Sequence, residues 1–267
     1  MKVAGKVMVV TGAGGGIGRE LVLNLLSKGA RVAAVDISKA ALEETVRQSA
    51  GKSGLISTHL VNLTERAAVE ALPEQVIREH GSVDGVINNA GIIHPFVNVN
   101  ELSYDKIKQV MDINFYGTLY MVKTFLPYLL ARPVAHIANV SSMGGFLPVP
   151  GQTIYGASKA AVKLLTEGLR AELKDTNVKV TVVFPGGVST NIMQNSGLEN
   201  APSKEMSKEQ VSQLLTPSKA AELIIDGIET ERYRVLAGKD SRMMDKLYRL
   251  NPRRAAELIA DKMKDLV

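Results

Sequence analysis

Several residue types are absent or scarce in this chain of 267 residues, and each absence removes a class of protein. There is no cysteine, which excludes disulfides, thiolate metal sites and a cysteine nucleophile. Tryptophan is absent and aromatic residues make up only 4%, which leaves little for stacking on nucleic-acid bases. No apolar run reaches the roughly 20 residues of a membrane span. We therefore predict no nucleic-acid partner and no firm membrane anchoring.

The net charge of +5 is concentrated at the carboxyl-terminal end of the chain. Residues 232–267 contain ten Lys and Arg against five Asp and Glu, whereas the first 231 residues contain 22 of each sign. This distribution favours a local basic tail over a nucleic-acid-binding surface. Residues 1–6 lack the apolar core of a signal peptide, which predicts a cytoplasmic protein. The four histidines, His59, His80, His94 and His136, show no metal-ligand spacing, so no metal site is predicted.

Short β-rich segments alternate with amphipathic segments along most of the chain. Strands are predicted at residues 6–10, 31–36, 55–60, 83–88, 134–140, 178–184 and 232–236. Helices are predicted at residues 17–27, 39–48, 64–79 with Thr64 as N-cap, 103–130, 154–173 and from Thr216-Pro217 onward. This alternation predicts an α/β fold: a doubly wound, mostly parallel seven-stranded sheet, the Rossmann fold, in a single domain. That domain is predicted over residues 1–238, with a substrate loop at about 191–208 and a basic amphipathic helical extension at 239–267.

A glycine-rich loop lies between the first predicted strand and the first predicted helix. It reads Thr11-Gly12-Ala13-Gly14-Gly15-Gly16-Ile17-Gly18, and such a loop lets a pyrophosphate approach the backbone at a helix N-terminus. Asp36 closes the next strand, where a carboxylate bonds the ribose 2′-hydroxyl and repels a 2′-phosphate. Ile37 follows it, and no arginine lies in the glycine loop. These residues favour NAD over NADP.

A tyrosine and a lysine open the long helix predicted after the fifth strand. Tyr155 and Lys159 are four residues apart and so project from one helix face. A nearby ammonium lowers a tyrosine pKa, which lets the phenol exchange a proton with a carbonyl oxygen or an alcohol. Ser141 and Ser142 end the fifth strand, at the sheet edge where ligands bind. Taken alone, such a pair is more often an ordinary surface pair, and two serines after a strand more often form a turn or cap.

Taken in order, these motifs resemble the short-chain dehydrogenase/reductase family. The resemblance rests on Thr11-Gly12-xxx-Gly16-x-Gly18, Asn88-Asn89-Ala90-Gly91, Asn114, Ser142, Tyr155-xxx-Lys159 and Pro185-Gly186. It covers essentially residues 4–236. It implies hydride transfer between a nicotinamide cofactor and a carbonyl or secondary alcohol, and an oligomer, a homotetramer or dimer, formed through the helices at 103–130 and 154–173.

The resemblance also assigns roles to individual residues. Tyr155 is implied as catalytic acid/base, Lys159 as the group that lowers its pKa, Ser142 as the group that polarises the carbonyl, and Asn114 as support for a proton-relay water. The residues implied in cofactor binding are Gly12, Gly15, Gly16, Ile17, Gly18, Asp36, Ile37, Asn62, Leu63, Asn89, Ala90, Gly91, Tyr155, Lys159, Pro185, Gly186, Val188 and Thr190. One position departs from the family pattern, because Asn62 stands where the family commonly has aspartate near the adenine amine.

A further set of residues is predicted to contact the substrate. Candidate contacts are Ser142, Met143, Phe146, Tyr155, His94 and Met193, and their apolar members favour a hydrophobic carbonyl or secondary alcohol. Packing within the core, and a solvated loop position for His94, are the competing interpretations. The extension could pack on a neighbouring subunit, close over the substrate or lie on an anionic membrane, the acids within it weakening the last. Other functions left open are the same chemistry with NADP, and a dinucleotide sensor without turnover.

Overall fold

The computed structural model describes residues 1–49, 51–190, 192–198 and 214–263, and its centre is one seven-stranded sheet. The strands are β1 (Val7–Thr11), β2 (Arg31–Asp36), β3 (Ile56–Leu60), β4 (Gly85–Asn88), β5 (Ala135–Val140), β6 (Val178–Pro185) and β7 (Arg234–Ala237). Their order is β3-β2-β1-β4-β5-β6-β7, and all six pairings are parallel. The predicted doubly wound Rossmann sheet is confirmed.

Helices connect the strands and cover the sheet. They are α1 (Gly16–Ser27), α2 (Lys39–Gln48), α3 (Arg66–Glu70), α4 (Leu72–His80), α5 (Tyr104–Met111), α6 (Gly117–Leu130), α7 (Thr153–Glu172), α8 (Ile192–Asn195), α9 (Pro217–Glu229), α10 (Lys239–Leu250) and α11 (Pro252–Met263). Thr216 caps α9 as predicted, since its side chain accepts a hydrogen bond from the Lys219 N–H at 3.2 Å. None of the helices within the described residues is long and apolar enough to span a bilayer.

The core has two layers because successive strand residues point to opposite faces of the sheet. In β1, Met8 and Val10 join a buried cluster with residues of α1 and α9. Val7 and Val9 join a second cluster with residues of α4, α6 and α7. A strand buried on both faces must be apolar at every position, which explains the uninterrupted Val-Met-Val-Val run.

The prediction for residues 64–79 was wrong in two respects. The segment forms two helices that meet at Ala71, which ends α3 and begins α4. Pro73 lies in the first turn of α4, where its missing N–H leaves no bond unmade, whereas the interior of one long helix would not accept it. Thr64 caps neither helix, because Glu65 precedes α3 and the Thr64 hydroxyl donates to Asn62 Oδ1 at 2.9 Å.

The predicted helix at 103–130 is helical throughout but irregular in the middle. Residues Asp112–Tyr116 form one turn of π-helix between α5 and α6. A π-turn adds one residue to a helical turn, so that side chains in this turn point in directions they would not have in a regular α-helix. The residue turned inward here is Asn114, which is fully buried.

The carboxyl-terminal extension folds back onto its own chain. Leu147 is enclosed by Met244 of α10 and by Ala255 and Ile259 of α11. We call these four buried residues, with the partly buried side chains around them, the C-terminal cluster. Its partly buried members are Met143, Phe146, Val149, Leu247, Tyr248, Leu258 and Met263.

Candidate active site

The order of the strands reverses between β1 and β4, and a crevice opens at the carboxyl ends of these strands. The loops that follow them are locked together there. The Thr11 hydroxyl accepts hydrogen bonds from the Asn89 N–H at 3.0 Å and the Ala90 N–H at 3.1 Å. Gly12 adopts a left-handed φ of 66°, and a Cβ on it would lie 2.9 Å from the Ala90 Cα. Glycine is required at this position because the two backbones approach so closely.

A cavity of about 860 Å³ lies in this crevice, a volume within the range of cofactor sites. It brings together almost all of the residues predicted to bind cofactor. Those that line it are Gly12, Gly15, Gly16, Ile17, Asp36, Ile37, Asn62, Leu63, Asn89, Ala90, Gly91, Tyr155, Lys159, Pro185, Gly186, Val188 and Thr190. Gly18 does not line it; a Cβ there would overlap the Gly12 carbonyl oxygen, so this glycine allows α1 to pack against the loop.

The glycine loop fits a pyrophosphate. Gly15 precedes α1 in an extended conformation. Within the described residues no side chain caps α1, and no acidic residue lies in its first turn. The first backbone N–H groups of α1 therefore lack intrahelical acceptors at the end where the helix dipole is positive. A Cβ on Gly15 would point into open space, with its nearest neighbour, the Asn195 side chain, 3.8 Å away.

Asp36 lies beside this loop with its carboxylate fixed by the backbone. Its Oδ2 accepts from the Gly14 N–H at 2.8 Å and its Oδ1 from the Ser38 N–H at 3.0 Å. The adjoining Ile37 side chain is 68% exposed and supplies no positive charge. Arg19, which directly follows the glycine loop in the sequence, donates to the Gly14 carbonyl and, at 3.1 Å, to the Thr45 hydroxyl. Among the residues that the structure describes, this corner of the cavity therefore presents a carboxylate without a cation.

Asn62 also lines the cavity, but its side chain is engaged locally. Its Oδ1 accepts from the Thr64 N–H at 3.1 Å and its Nδ2 donates to Glu65 at 3.1 Å. The expected contact of Asn62 with adenine stays a prediction.

Tyr155, Lys159 and Ser142 converge on the opposite part of the cavity. Burial raises the pKa of the Tyr155 phenol, and the neighbouring Ser142 hydroxyl lowers this pKa by a smaller amount. Burial also lowers the pKa of Lys159 to about 8, because a charged ammonium is poorly solvated there. The Lys159 Nζ donates to the Val140 carbonyl at 3.0 Å. The phenol is therefore protonated at neutral pH, and no lowering of its pKa by Lys159 is seen in this geometry.

Asn114 lies behind Lys159 and does not line the cavity. Its Oδ1 accepts from the Ile92 N–H at 2.8 Å, and its Nδ2 donates to the Ile92 carbonyl at 2.9 Å and the Ser158 hydroxyl at 3.0 Å. A Cβ on Gly91 would lie 2.9 Å from Lys159 Nζ and 3.1 Å from Asn114 Oδ1. The π-turn thus ties the loop after β4 to α7 beside the lysine.

The two serines at the end of β5 make different contacts. The Ser142 Oγ faces the cavity and accepts from the Gly144 N–H at 3.0 Å. The buried Ser141 hydroxyl donates to the Lys159 carbonyl at 2.7 Å, so Ser141 holds α7 against the strand.

Four of the six predicted substrate contacts lie outside the cavity lining. Met143 and Phe146 pack in the C-terminal cluster, where the Phe146 ring lies 5.4 Å from Phe184 and 6.1 Å from Tyr248 between centroids. Packing was the competing interpretation for these two apolar residues, and their positions in the structure agree with it. Met193 lies on α8 beside the lining residue Ile192. Asn191 and the loop at 199–208 lie outside the described residues.

His94 is buried rather than solvated, with only 1% of its surface exposed. Its ring Nδ1 lies 2.7 Å from the Pro95 carbonyl, and its own carbonyl accepts from the Gln152 side chain at 2.6 Å. Burial lowers the pKa of the ring. The residue thus holds the loop after β4 against the start of α7.

The loop after β6 is fastened by the carboxyl-terminal extension. Asp240 of α10 accepts from the Gly187 N–H at 2.7 Å, and a Cβ on Gly186 would overlap the Asp240 carboxylate. The neighbouring Ser241 hydroxyl donates to the Phe184 carbonyl at 2.8 Å. The segment predicted to cover the nicotinamide therefore depends on a residue far along the chain.

Several lining residues were not predicted from the sequence. They include Gly14, Val35, Ser38, Ala41, Val61, Ile92, Ile93, Lys106, Gln109, Ile113, Val140, Ser141 and Gly187. Four further lining residues fall within the substrate loop predicted at about 191–208: Ile192, Asn195, Ser196 and Gly197. Ile92 and Ile93 could have been found, since they directly follow the Asn-Asn-Ala-Gly motif. Lys106 and Ile113 gave no signal, because only the packing of α5 and the π-turn brings them to the cavity.

Comparisons with known proteins agree with this geometry. The short chain dehydrogenase family model matches residues 6–201. A putative oxidoreductase of Mycobacterium tuberculosis, SadH, is 37% identical over 92% of this chain and 91% of its own length. The 3-oxoacyl-[acyl-carrier-protein] reductase FabG of Thermotoga maritima is 33% identical over 84% of this chain and 91% of its own.

Solved structures resemble the fold over nearly its whole length. A short chain dehydrogenase/reductase from Burkholderia phymatum in complex with NAD superposes with a TM-score of 0.82 at 27% identity, covering 94% of this chain and 96% of that one. A short chain dehydrogenase from Burkholderia cenocepacia in complex with NADP gives a TM-score of 0.80 at 24% identity, covering 97% and 99%. The sequence match, the sheet order and the cavity agree, and the chain belongs to the short-chain dehydrogenase/reductase family of oxidoreductases, which use a nicotinamide dinucleotide.

Proposed function

We propose that the protein is an NAD-preferring oxidoreductase that interconverts a carbonyl group and a secondary alcohol on a small apolar substrate. The observation that carries the proposal is the convergence of Ser142, Tyr155 and Lys159 on one cavity that also contains the glycine loop and Asp36. Bound nicotinamide would supply or accept the hydride. The chain's own groups position the substrate and move one proton.

The preference for NAD rests on the environment of Asp36. Two backbone N–H groups hold its carboxylate at the edge of the cavity, where it would bond a ribose 2′-hydroxyl and repel a 2′-phosphate. Arg19 is bonded to the glycine loop itself and is absent from the cavity lining. The NAD-bound and NADP-bound structures share this fold, so the local charge, not the fold, supports the choice.

In the proposed reaction, Tyr155 gives or takes the proton. Because burial raises its pKa, the phenol holds its proton at neutral pH and can donate it to a carbonyl oxygen. Ser142 lies beside it with its hydroxyl facing the cavity, and this hydroxyl would bind the same oxygen. A donor aimed where negative charge develops stabilises the transition state.

Lys159 is the proposed source of the proton that returns to Tyr155. With a pKa of about 8, its amine exchanges protons near neutral pH, and its Nζ lies close to Gly91 and Asn114. We propose that Lys159 replaces the proton Tyr155 gives up, and that Asn114 keeps Lys159 and the Ile92 backbone in place. The proposal includes the proton-relay water that the family resemblance implies at Asn114.

An apolar substrate is supported by Ile93 and Ile192, which line the cavity. Met143 and Phe146 give no such support, since they pack in the C-terminal cluster.

We also propose that the protein acts in the cytoplasm as a homo-oligomer, a tetramer or dimer. Tyr104 of α5 is 89% exposed and Leu164 of α7 is 68% exposed, and both lie in the helical regions through which the family assembles. Within each copy, residues 1–238 would form the catalytic unit and 239–267 an addition to it.

The test is nicotinamide absorbance with NAD(H) and with NADP(H), against ketones and secondary alcohols of increasing apolar size. We expect turnover with NAD(H), and an Asp36→Ala variant whose affinity for NADPH rises relative to NADH by roughly tenfold or more. The Asp36→Asn variant removes the negative charge but keeps the shape of the side chain, so it tests the contribution of the charge alone. If neither variant improves NADPH binding, the account of Asp36 fails. Tight NADH binding without turnover on any substrate would favour a dinucleotide sensor.

A further inference from the structure

The outer surface of α10 combines positive charge with exposed apolar side chains. Its six exposed residues are Lys239, Arg242, Met243, Lys246, Arg249 and Leu250. At 3.6 residues per turn they occupy one arc of about 120°. We call this arc the basic–apolar face. Four of its members are cations, and its large apolar members Met243 and Leu250 are 54% and 75% exposed.

The acids of α10 do not reduce this charge, because both point inward. Asp240 accepts a hydrogen bond from the Gly187 N–H. Asp245 is buried and pairs with Arg234 at 2.8 Å. The acids within the extension made membrane contact appear weak from the sequence, but the two acids of α10 lie away from its exposed arc. Only Arg249 of the basic–apolar face approaches one of them, at 3.8 Å from Asp245.

The start of α11 extends the positive surface. Arg253 and Arg254 are exposed at its amino-terminal end, and Arg253 pairs with Glu257 at 2.8 Å. Asp261 is an exposed acid further along α11. Thus the positive excess of the described residues 232–263 lies mainly on the outer side of α10.

We propose that the basic–apolar face docks the protein reversibly onto an anionic phospholipid surface. A helix that lies in a bilayer interface buries apolar side chains among the acyl chains while its cations bind anionic headgroups. Met243 and Leu250 supply the apolar part, and the flanking Lys and Arg stems extend toward the headgroups. An acidic protein or polyanion would match the charge, but its charged groups would not account for the two exposed apolar side chains.

Docking in this way would bring the site near the lipid. The inner side of α10 packs through Met244 and Leu247 on Leu147 and its neighbours, only five residues after Ser142. The proposed docking is a binding property and does not depend on the proposed reaction.

The experiment is co-sedimentation of the full chain with vesicles of phosphatidylcholine alone or of phosphatidylcholine with phosphatidylglycerol. We expect binding only to the anionic vesicles, weakening as salt is added. Arg242→Gln with Lys246→Gln lowers the partition coefficient roughly 30-fold. Met243→Gln with Leu250→Gln lowers it roughly tenfold without abolishing the salt dependence. The matched control, Lys39→Gln with Lys219→Gln, removes two cations that already face carboxylates and leaves binding unchanged.

Three results would overturn the proposal. One is equal partitioning of the wild type onto neutral and anionic vesicles. Another is binding to soluble polyglutamate that the Met243→Gln, Leu250→Gln variant retains in full, which would indicate an acidic protein partner. The third is absence of vesicle binding together with dissociation of an oligomer in that variant by sedimentation velocity, which would make this face an interface between copies. Circular dichroism confirms that each variant is folded.

Discussion

The two sides of the cavity are built in different ways. The cofactor side is made of loops that directly follow β1, β2 and β4, held by backbone contacts such as Gly12 against Ala90. The proposed substrate side, where Ser142 and Tyr155 line the cavity, depends on segments distant in sequence, since the loop that follows Ser142 packs against α10 and α11. The first side is therefore specified by local motifs, and the second by packing between elements that share no local pattern.

The largest expected effect separates chemistry from binding on the cofactor side. Tyr155→Phe removes the proposed proton donor but keeps the ring, so we expect kcat to fall by roughly 10³-fold while the Kd for NADH changes little. Steady-state kinetics and fluorescence titration measure the two quantities. Tyr104→Phe, at a side chain 89% exposed, is the control and leaves both unchanged. A kcat reduced less than tenfold by Tyr155→Phe would contradict the assigned role.

The next effect tests whether the C-terminal cluster supports the substrate side alone. Leu147 is fully buried, and Leu147→Ala leaves a cavity that lowers the free energy of unfolding by about 2–5 kcal/mol. We expect KM for the carbonyl substrate to rise more than KM for NADH, because the cluster contacts the loop after Ser142. Urea unfolding and kinetics measure the change. Equal rises in both KM values would mean that the two sides are not separable.

A pH effect tests the sheet beneath both sides. Burial lowers the pKa of His136 on β5 to about 3, so the unfolded chain binds a proton below pH 6.5 that the folded chain does not. Its contribution to stability is complete above that pH and declines as the pH falls toward 3. We expect a loss of about 2 kcal/mol between pH 7 and pH 5.

The measurement is urea unfolding of the wild type and His136→Gln at both pH values. The variant should be less stable at pH 7, because it disturbs the hydrogen bond with Thr181, but less sensitive to acid. His59→Gln is the comparison, since His59 is 7% exposed and His136 is fully buried. An unchanged acid sensitivity in His136→Gln would contradict the assignment.

The smallest effect tests the link between the two sides. Asp240→Ala removes the acceptor for the Gly187 N–H, which frees the loop after β6. We expect kcat to fall roughly threefold to tenfold with a smaller change in the Kd for NADH. Asp240→Asn keeps an acceptor oxygen and restores most of the rate. Asp245→Asn is the control, because it weakens the pairing of α10 with Arg234 without touching the loop.

Different parts of the structure were predictable to different degrees. The strands could be located because residues buried on both faces of a parallel sheet must be apolar, which marks each strand directly in the sequence. The inward position of His94 depends on the segments that surround it, so local pattern misplaced this residue. The division at Ala71 was missed although Pro73, which a helix interior does not accept, marks it in the sequence. Phe146 shows the same limit, since an apolar residue near a site fits a substrate wall or a packed cluster equally well.

By itself the sequence determined the order of elements, the glycine loop and the spacing of Tyr155 and Lys159, because helical and strand periodicity and close backbone approach are properties of neighbouring residues. Only the tertiary structure decided which side chains face the cavity, and that burial, rather than Lys159, controls the pKa of Tyr155. It also decided that both acids of α10 point inward. The reason is that burial and charge environment arise from segments brought together by folding, and no local pattern records them.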